Sequence, residues 1–231
     1  MLHFSPFYSI IKINNEKAGK KMKNQSVLII IGSPHEAGST ARVVEEMKAV
    51  FSAEGIECKT VNVGKEPVRG CAGCAACKKL GKCVFDDKVN EVANMLDDVD
   101  GIVLASPVYY SSPNGSLIAF LDRLFYSSSS HDKRMKVGAS VVVARRGGLS
   151  STFDVLNKYF TISEMAVASS SYWNQVHGAF ADDIPEDKEG LRTVRTLARN
   201  MAFLMKAIAL GKEQIGLPER EPKVFTNFIR R

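Results

Sequence analysis

The sequence lacks the run of roughly 18 apolar residues that a membrane-spanning helix needs. Apolar runs such as residues 27–31 and 141–144 have only the length of a strand. The segment after the first of these runs also lacks the G-x-G-x-x-G pattern of dinucleotide sites and the lysine of a P-loop. We therefore expect no membrane association and neither of those two nucleotide-binding motifs.

The central part of the chain carries little net charge. The formal net charge is +6, but residues 1–21 hold four lysines against one glutamate, and residues 212–231 hold five basic against three acidic residues. No basic stripe remains between the two ends, so we expect no nucleic-acid partner. Residues 2–11 are apolar and precede the basic cluster, which is the reverse of a secretory signal. The expected location is the cytoplasm.

Four of the five cysteines lie within thirteen residues, in the spacing C-x2-C-x2-C-x5-C. Gly73 and Gly81 lie inside this segment and allow it to fold around a centre. Thiolates at such spacing suit a [4Fe–4S] cluster. Zinc is the weaker alternative, because structural zinc sites usually divide into two separated pairs, and free thiols are the third. The candidate metal ligands are Cys71, Cys74, Cys77 and Cys83.

The order of apolar runs divides the chain into a leader, one domain and a tail. Residues 1–21 are expected to be a loose extension or not translated, since Met22 opens a normal start for an α/β domain. Residues 22–211 form the domain, and residues 212–231 form a tail with little periodicity. The length suits one domain better than two.

Strand-like and helical patterns alternate along the domain, which predicts an α/β fold with a parallel sheet covered on both faces. The predicted strands cover residues 27–31, 57–63, 101–105, 137–144 and 165–169. The predicted helices cover residues 40–54, 87–96, 114–126, 153–160 and 188–210. Residues 64–85 are expected to form a long loop. Five such units suggest a doubly wound, five-stranded sheet of order 2-1-3-4-5, with a ligand crevice at the carboxyl ends of strands 1, 3 and 4.

The loop after strand 1 leads directly into a helix and is a candidate phosphate site. Free N–H groups and the positive dipole end of a helix suit an anion. Ser33, Ser39 and Thr40 add hydroxyl donors, and His35 can add a cation. In the alternative interpretation the loop is a turn in which Ser39 is the N-cap.

The loops after strands 3 and 4 complete the predicted crevice. Aromatic side chains in the first of them suit stacking on a flat ring, although they also suit packing on the fold itself. Two glycines in the second allow the backbone to approach a ligand closely. The residues concerned are Pro107, Val108, Tyr109, Tyr110 and Ser111 in the first loop and Ala144, Arg145, Arg146, Gly147 and Gly148 in the second.

These loops together resemble the NAD(P)H-dependent FMN reductase family, which includes multimeric flavodoxin-like quinone reductases and iron–sulfur flavoproteins. Residues 32–40 resemble the family's GSPRxxGNT loop, and residues 106–123 resemble its SPVYYxxxxGxLKxFLDR segment. His35 and Ser39 depart from this pattern, which has Arg and Asn there. The resemblance implies a flavodoxin-like fold. It also implies that Ser33, Ser39 and Thr40 bind the FMN phosphate while residues 107–111 and 144–148 border the flavin ring.

The resemblance implies an FMN-dependent oxidoreductase that takes hydride from NAD(P)H and reduces a small acceptor, such as a quinone or free flavin. The iron–sulfur flavoproteins carry a similar cysteine motif after strand 2. The first alternative is therefore an iron–sulfur flavoprotein that carries electrons between FMN and ferredoxin-like partners. The second is a non-enzymatic flavin-binding regulator. A homodimer or homotetramer is expected, with residues 172–177 near a partner subunit. No residue is predicted as a catalytic acid or base, and His177 is interpreted as structural.

Overall fold

The computed structural model describes residues 24–226, so the prediction for the leader, residues 1–21, lies outside the described residues. Its strands are β1 Ser26–Ile31, β2 Glu57–Asn62, β3 Gly101–Tyr109, β4 Ser112–Pro113, β5 Val137–Ala144, β6 Ala166–Val167 and β7 Gln175–His177. Its helices are α1 Ser39–Ala53, α2 Cys77–Leu80, α3 Lys88–Met95, α4 Gly115–Ser127, α5 Leu149–Thr161 and α6 Lys188–Ile215. Within these residues no helix has the length and apolar character that a membrane span requires.

The sheet has the predicted order. Strands β2, β1, β3 and β5 are parallel neighbours, and β6 and β7 both pair in parallel with β5 at the edge. With β6 and β7 sharing the fifth position, this is the arrangement 2-1-3-4-5 predicted from the sequence. The predicted flavodoxin-like α/β fold is confirmed.

Helices cover the two faces of the sheet. Alternate residues of a strand point to opposite faces, so Val27 and Ile29 lie in one apolar cluster while Leu28 and Ile30 lie in the other. The first cluster is closed by α1 and α6, and the second by α3, α4 and α5. All six residues of β1 are buried, which explains why this strand is apolar without alternation.

Several elements differ from the prediction. The fifth strand, expected over residues 165–169, is split into β6 and β7 by residues 168–174. Strand β3 continues four residues beyond its predicted end and pairs with β4 as an antiparallel hairpin. The region 64–85, expected to be a loop throughout, contains the single-turn helix α2. Helix α6 also runs five residues past its predicted end at residue 210.

Candidate functional site

The connection from β1 to α1 presents uncapped helical N–H groups. The N-cap is Gly38, and no side chain caps the helix, so the interpretation of Ser39 as the N-cap is wrong. The buried Ser33 hydroxyl accepts a hydrogen bond from the His35 N–H at 3.2 Å, which closes the preceding turn. The first N–H groups of α1 therefore keep the free donor capacity that a phosphate group needs.

The side chains predicted for this phosphate loop differ in exposure. Thr40 is buried in the first turn of α1, Ser39 is half-buried, and His35 is exposed. The chain leaving β2 crosses directly over the loop at Gly64. A Cβ atom there would lie 2.4 Å from the carbonyl oxygen of Gly32 and 2.4 Å from the carbonyl carbon of Ser33. The backbone at Gly64 therefore packs directly against the loop. The shape of the loop depends on Gly64, which lies outside the predicted motif.

Tyr110 and Ser111 form the two-residue turn of the β3–β4 hairpin. Their φ angles are +49° and +59°, as in a type I′ turn, although Gly and Asn usually fill such positions. Non-glycine residues pay an energetic cost in this region, and such strain concentrates at functional sites. The turn holds the Tyr110 side chain fully in solvent, and Tyr109 is 44% exposed. Tyr110 is therefore not packed on the fold, in contrast to the alternative interpretation, whereas Tyr109 is partly covered.

Pro107, Val108 and Tyr109 lie in β3 itself, whereas the sequence predicts them in the loop, and the first two are half-buried. The residues around them fix the hairpin to α4. Asn114 caps α4 by accepting hydrogen bonds from the Ser116 and Leu117 N–H groups at 2.8 and 3.3 Å. The Asn114 N–H in turn donates to the Ser106 hydroxyl at 3.1 Å.

The loop after β5 touches the hairpin. Gly148 has φ +86°, and a Cβ atom there would lie 2.7 Å from the Cα of Ser111. The Ser151 hydroxyl donates a hydrogen bond to the Ser111 carbonyl at 2.8 Å. Arg145, Arg146 and Gly147 are exposed, and Ala144 is half-buried at the end of the strand. Since β1, β3 and β5 are neighbours, the three predicted loops lie side by side at one edge of the sheet.

His177 also reaches this edge, at the end of β7. It pairs with Ala144 of β5, and the next residue, Gly178, donates its N–H to the Ala144 carbonyl at 3.0 Å. The His177 N–H donates to the Asp187 carboxylate at 2.7 Å, and its Nδ1 lies 3.5 Å from the same group. Asp187 is the N-cap of α6, so His177 joins the sheet edge to that helix.

The four clustered cysteines line a single hollow. The backbone turns around it through left-handed conformations at Gly73, Ala75 and Gly81, with φ +64°, +55° and +71°. Two of these are the glycines that the sequence analysis singled out. Cys71 and Cys74 are exposed, Cys77 is half-buried and Cys83 is buried.

The thiols around the hollow are the groups that could hold a metal ion or cluster. Across residues 24–226, no three Cys, His, Asp or Glu side chains converge closely enough to hold one metal ion. An iron–sulfur cluster binds each thiolate through a different iron, so its ligands stand further apart than those of a single ion. All four thiols line one hollow, and four thiolates are the ligand set of a [4Fe–4S] cluster.

Arg123 is a residue of this region that the sequence analysis did not single out. Its side chain is 1% exposed, and its Nε and Nη2 lie 3.3 and 3.2 Å from the Cys83 sulfur. Nη1 and Nη2 donate to the two carboxylate oxygens of Asp87 at 2.7 and 2.9 Å. Partial burial alone raises the pKa of Asp87, but hydrogen bonds from Arg123 and the Val89 N–H and the Arg123 charge outweigh it, so this pKa is lowered.

Further contacts of Arg123 hold the cysteine segment against α4. Its guanidinium donates to the carbonyls of Arg69 and Phe85 at 3.3 and 3.4 Å and lies 5.2 Å from the Phe85 ring centroid. Arg69 lies on the same ring at 4.6 Å. The sequence offers one signal for this residue. Arg123 falls between Phe120 and Leu124, which pack inward on the same helix, and this position indicates that Arg123 is buried.

Comparison with known proteins agrees with this arrangement. The model of the family described as NADPH-dependent FMN reductase matches residues 25–180. An iron–sulfur flavoprotein of Methanocaldococcus jannaschii is 32% identical over 189 residues, covering 79% of this chain and 98% of the relative. An iron–sulfur flavoprotein of Methanosarcina thermophila is 27% identical over 188 residues, covering 80% and 97%. A flavodoxin from the domain Archaea superposes with TM-score 0.54 at 12% identity, covering 79% of this chain and 99% of that structure. The chain therefore belongs to the NADPH-dependent FMN reductase family, whose members are FMN-binding oxidoreductases with a flavodoxin-like fold.

Proposed function

We propose that the chain is an iron–sulfur flavoprotein. In this function FMN would lie at the carboxyl edge of the sheet, and the four cysteines would hold a [4Fe–4S] cluster. The two groups would carry electrons between a ferredoxin-like partner and a small acceptor. The observation that carries the proposal is the single hollow lined by all four clustered cysteines. Two relatives that match this chain over 98% and 97% of their own length are iron–sulfur flavoproteins, which supports the proposal.

The three loops supply the binding groups for FMN. When bound, FMN supplies the hydride and single-electron chemistry. The free N–H groups at the start of α1 and the hydroxyls of Ser39 and Thr40 hold the phosphate. The β3–β4 hairpin and the loop after β5 border the ring, and Arg145 and Arg146 supply positive charge for its reduced, anionic form. Contact between Gly148 and Ser111 keeps these two loops together.

A second candidate function is that of a simple reductase, in which NAD(P)H donates hydride to FMN and a quinone or free flavin accepts the electrons. The description of the matching family, which names NADPH, favours this function. It does not require the cysteine hollow. A third hypothesis, a flavin-binding regulator without turnover, requires neither a cluster nor NAD(P)H oxidation.

Anaerobic purification distinguishes these functions. We expect brown protein with one FMN, about four iron and about four sulfide per chain, and a broad cluster absorbance beneath the flavin bands. Protein without iron after anaerobic reconstitution, which oxidises NAD(P)H at an enzymatic rate, would instead establish the simple reductase. Protein that binds FMN but lacks both iron and turnover would establish the regulator.

The surface around the hollow suits an acidic protein partner. Lys78, Lys79 and Lys82 are exposed on and just after α2. We expect their combined replacement by Glu to slow reduction by an acidic ferredoxin about tenfold at low salt, because like charges then meet across the encounter surface. Stopped-flow rates at rising ionic strength measure this, and the difference should disappear at high salt. Combined replacement of the exposed Lys158, Lys188 and Lys212 by Glu is the charge-matched control. If this control slowed the reduction equally, the surface around the hollow would not be the binding surface for the partner.

The interrupted edge strand suits contact with a second copy of the chain. Tyr172 and Trp173 in the interruption are 55% and 52% exposed, and their ring centroids lie 5.0 Å apart. We propose a homodimer or homotetramer that buries them, because exposed apolar patches on a protein surface commonly mark interaction sites. Light scattering at micromolar concentration should give the mass of an oligomer for the native chain. The variant with both Tyr172→Ser and Trp173→Ser should give a smaller mass. Ile162→Ser, which changes another exposed apolar residue, should leave the mass unaltered; a monomeric native chain would refute the proposal.

A further inference from the structure

Arg123 brings a buried positive charge to one of the four cysteine sulfurs. The guanidinium has two usable edges, and each has a different partner. The edge formed by Nε and Nη2 faces the Cys83 sulfur, and the edge formed by Nη1 and Nη2 faces Asp87. Arg123 and Cys83 are both buried, at 1% and 8% exposure, so little water screens their interaction.

A purely structural role does not account for the contact with sulfur. The bonds from Arg123 to Asp87 and to the carbonyls of Arg69 and Phe85 already hold the cysteine segment on α4. The Nε N–H, and an Nη2 N–H that the Phe85 carbonyl shares, are nevertheless directed at a sulfur atom, which accepts hydrogen bonds only weakly as a neutral thiol. A thiolate bound to iron carries negative charge and is a much better acceptor.

We propose that Arg123 is a positioning residue that sets the reduction potential of the cluster through its two hydrogen bonds to the Cys83 sulfur; this rests on the proposed function, in which the four cysteines ligate that cluster. Reduction by one electron places additional negative charge on the cluster and its thiolates. Donors and positive charge at a ligating sulfur stabilise the reduced form more than the oxidised form, so they raise the potential.

Asp87 acts in the opposite direction. Its carboxylate neutralises much of the Arg123 charge and lies on the adjoining edge of the guanidinium, which shares Nη2 with the edge that faces the sulfur. Removal of Arg123 leaves this negative charge near the cluster, whereas removal of the Asp87 charge leaves the guanidinium uncompensated. The two changes are therefore expected to shift the potential in opposite directions, which a general loosening of the segment would not do.

The test is a redox titration of the reconstituted holoprotein, followed by the electron paramagnetic resonance signal of the reduced cluster. We expect Arg123→Met to shift the one-electron equilibrium at least tenfold toward the oxidised form, which corresponds to 59 mV. Asp87→Asn should shift it toward the reduced form, because the Arg123 charge is then no longer compensated. Asn can still cap α3 in place of Asp, so the fold should be retained. Arg123→Lys keeps the charge but not the two-pronged geometry, so its potential should lie between those of Arg123→Met and the native chain.

Each outcome bears on a different part of the hypothesis. A native chain that takes up no iron overturns both the proposed function and the role of Arg123. A loaded native chain whose potential is unchanged in Arg123→Met and Asp87→Asn overturns the role of Arg123 and leaves the cluster standing. If Arg123→Met does not retain the cluster, Asp87→Asn decides: a shift toward the reduced form supports the proposal, and no shift or the opposite shift overturns it.

Discussion

Gly64→Ala is expected to abolish FMN binding at micromolar concentration while the sheet stays folded. The added Cβ would meet the backbone of Gly32 and Ser33 at 2.4 Å, and backbone cannot rotate away as a flexible side chain can. The phosphate loop must then shift. Overpacking of this kind costs about 1–3 kcal/mol of stability. Hydrogen bonds to a charged group contribute about 1.5–3 kcal/mol each, so losing two weakens binding at least about 100-fold.

Gly70→Ala is the matched control for this variant. It lies on the same connection after β2, its backbone is not left-handed, and nothing stands within 4 Å of an added Cβ. Fluorescence titration of each apoprotein with FMN compares the affinities, and circular dichroism checks that each variant is folded. Native affinity in a folded Gly64→Ala protein would show that the phosphate does not sit in this loop.

Cys74→Ser is expected to remove the cluster and spare the flavin. A hard hydroxyl is a poor replacement for a soft thiolate ligand, so iron should fall from about four per chain to less than one. FMN content should not change, because the predicted flavin loops follow β1, β3 and β5 and do not include the cysteine segment. Iron and sulfide analysis after anaerobic reconstitution, together with the visible spectrum, measures both groups.

Cys58→Ser provides the control within the same chain. Cys58 lies in β2, half-buried and away from the C-x2-C-x2-C-x5-C segment, and burial raises the pKa of its thiol, which therefore stays protonated. This variant should keep its iron. If Cys74→Ser retained as much iron as Cys58→Ser, the cysteine segment would not be the ligand set.

The sheet and its order could be predicted from the sequence because they depend on strong local patterns. Residues 27–31 and 137–144 are apolar runs that helices or glycine-containing loops follow, and both became buried parallel strands. The split fifth strand could not be predicted, because its pairing with β5 depends on tertiary contacts. Residues 169–171 are three serines that indicate a loop, while β7 after them is only three residues long.

The positions of the three loops followed from the strand order, but their internal geometry did not. The turn at Tyr110 and Ser111 contradicts local preference, since its left-handed backbone is usual for Gly or Asn. The role of Gly64 depends on a close approach between two segments that are 32 residues apart in the sequence. Arg123 falls on the inward face of its helix, but its partners in the cysteine segment, 36 to 54 residues away in the sequence, become evident only in the folded structure.

Helix α4 contacts both candidate redox sites. It therefore fixes the distance and the rotation between its residues at the two sites. Asn114, its N-cap, holds the hairpin at the flavin edge, and Arg123, nine residues later, holds the cysteine segment. At 1.5 Å per residue these anchors stand about 13 Å apart along one rigid rod. One inserted residue between them would turn Arg123 by about 100° and carry it off the Cys83 sulfur. This stretch should therefore tolerate neither insertion nor deletion.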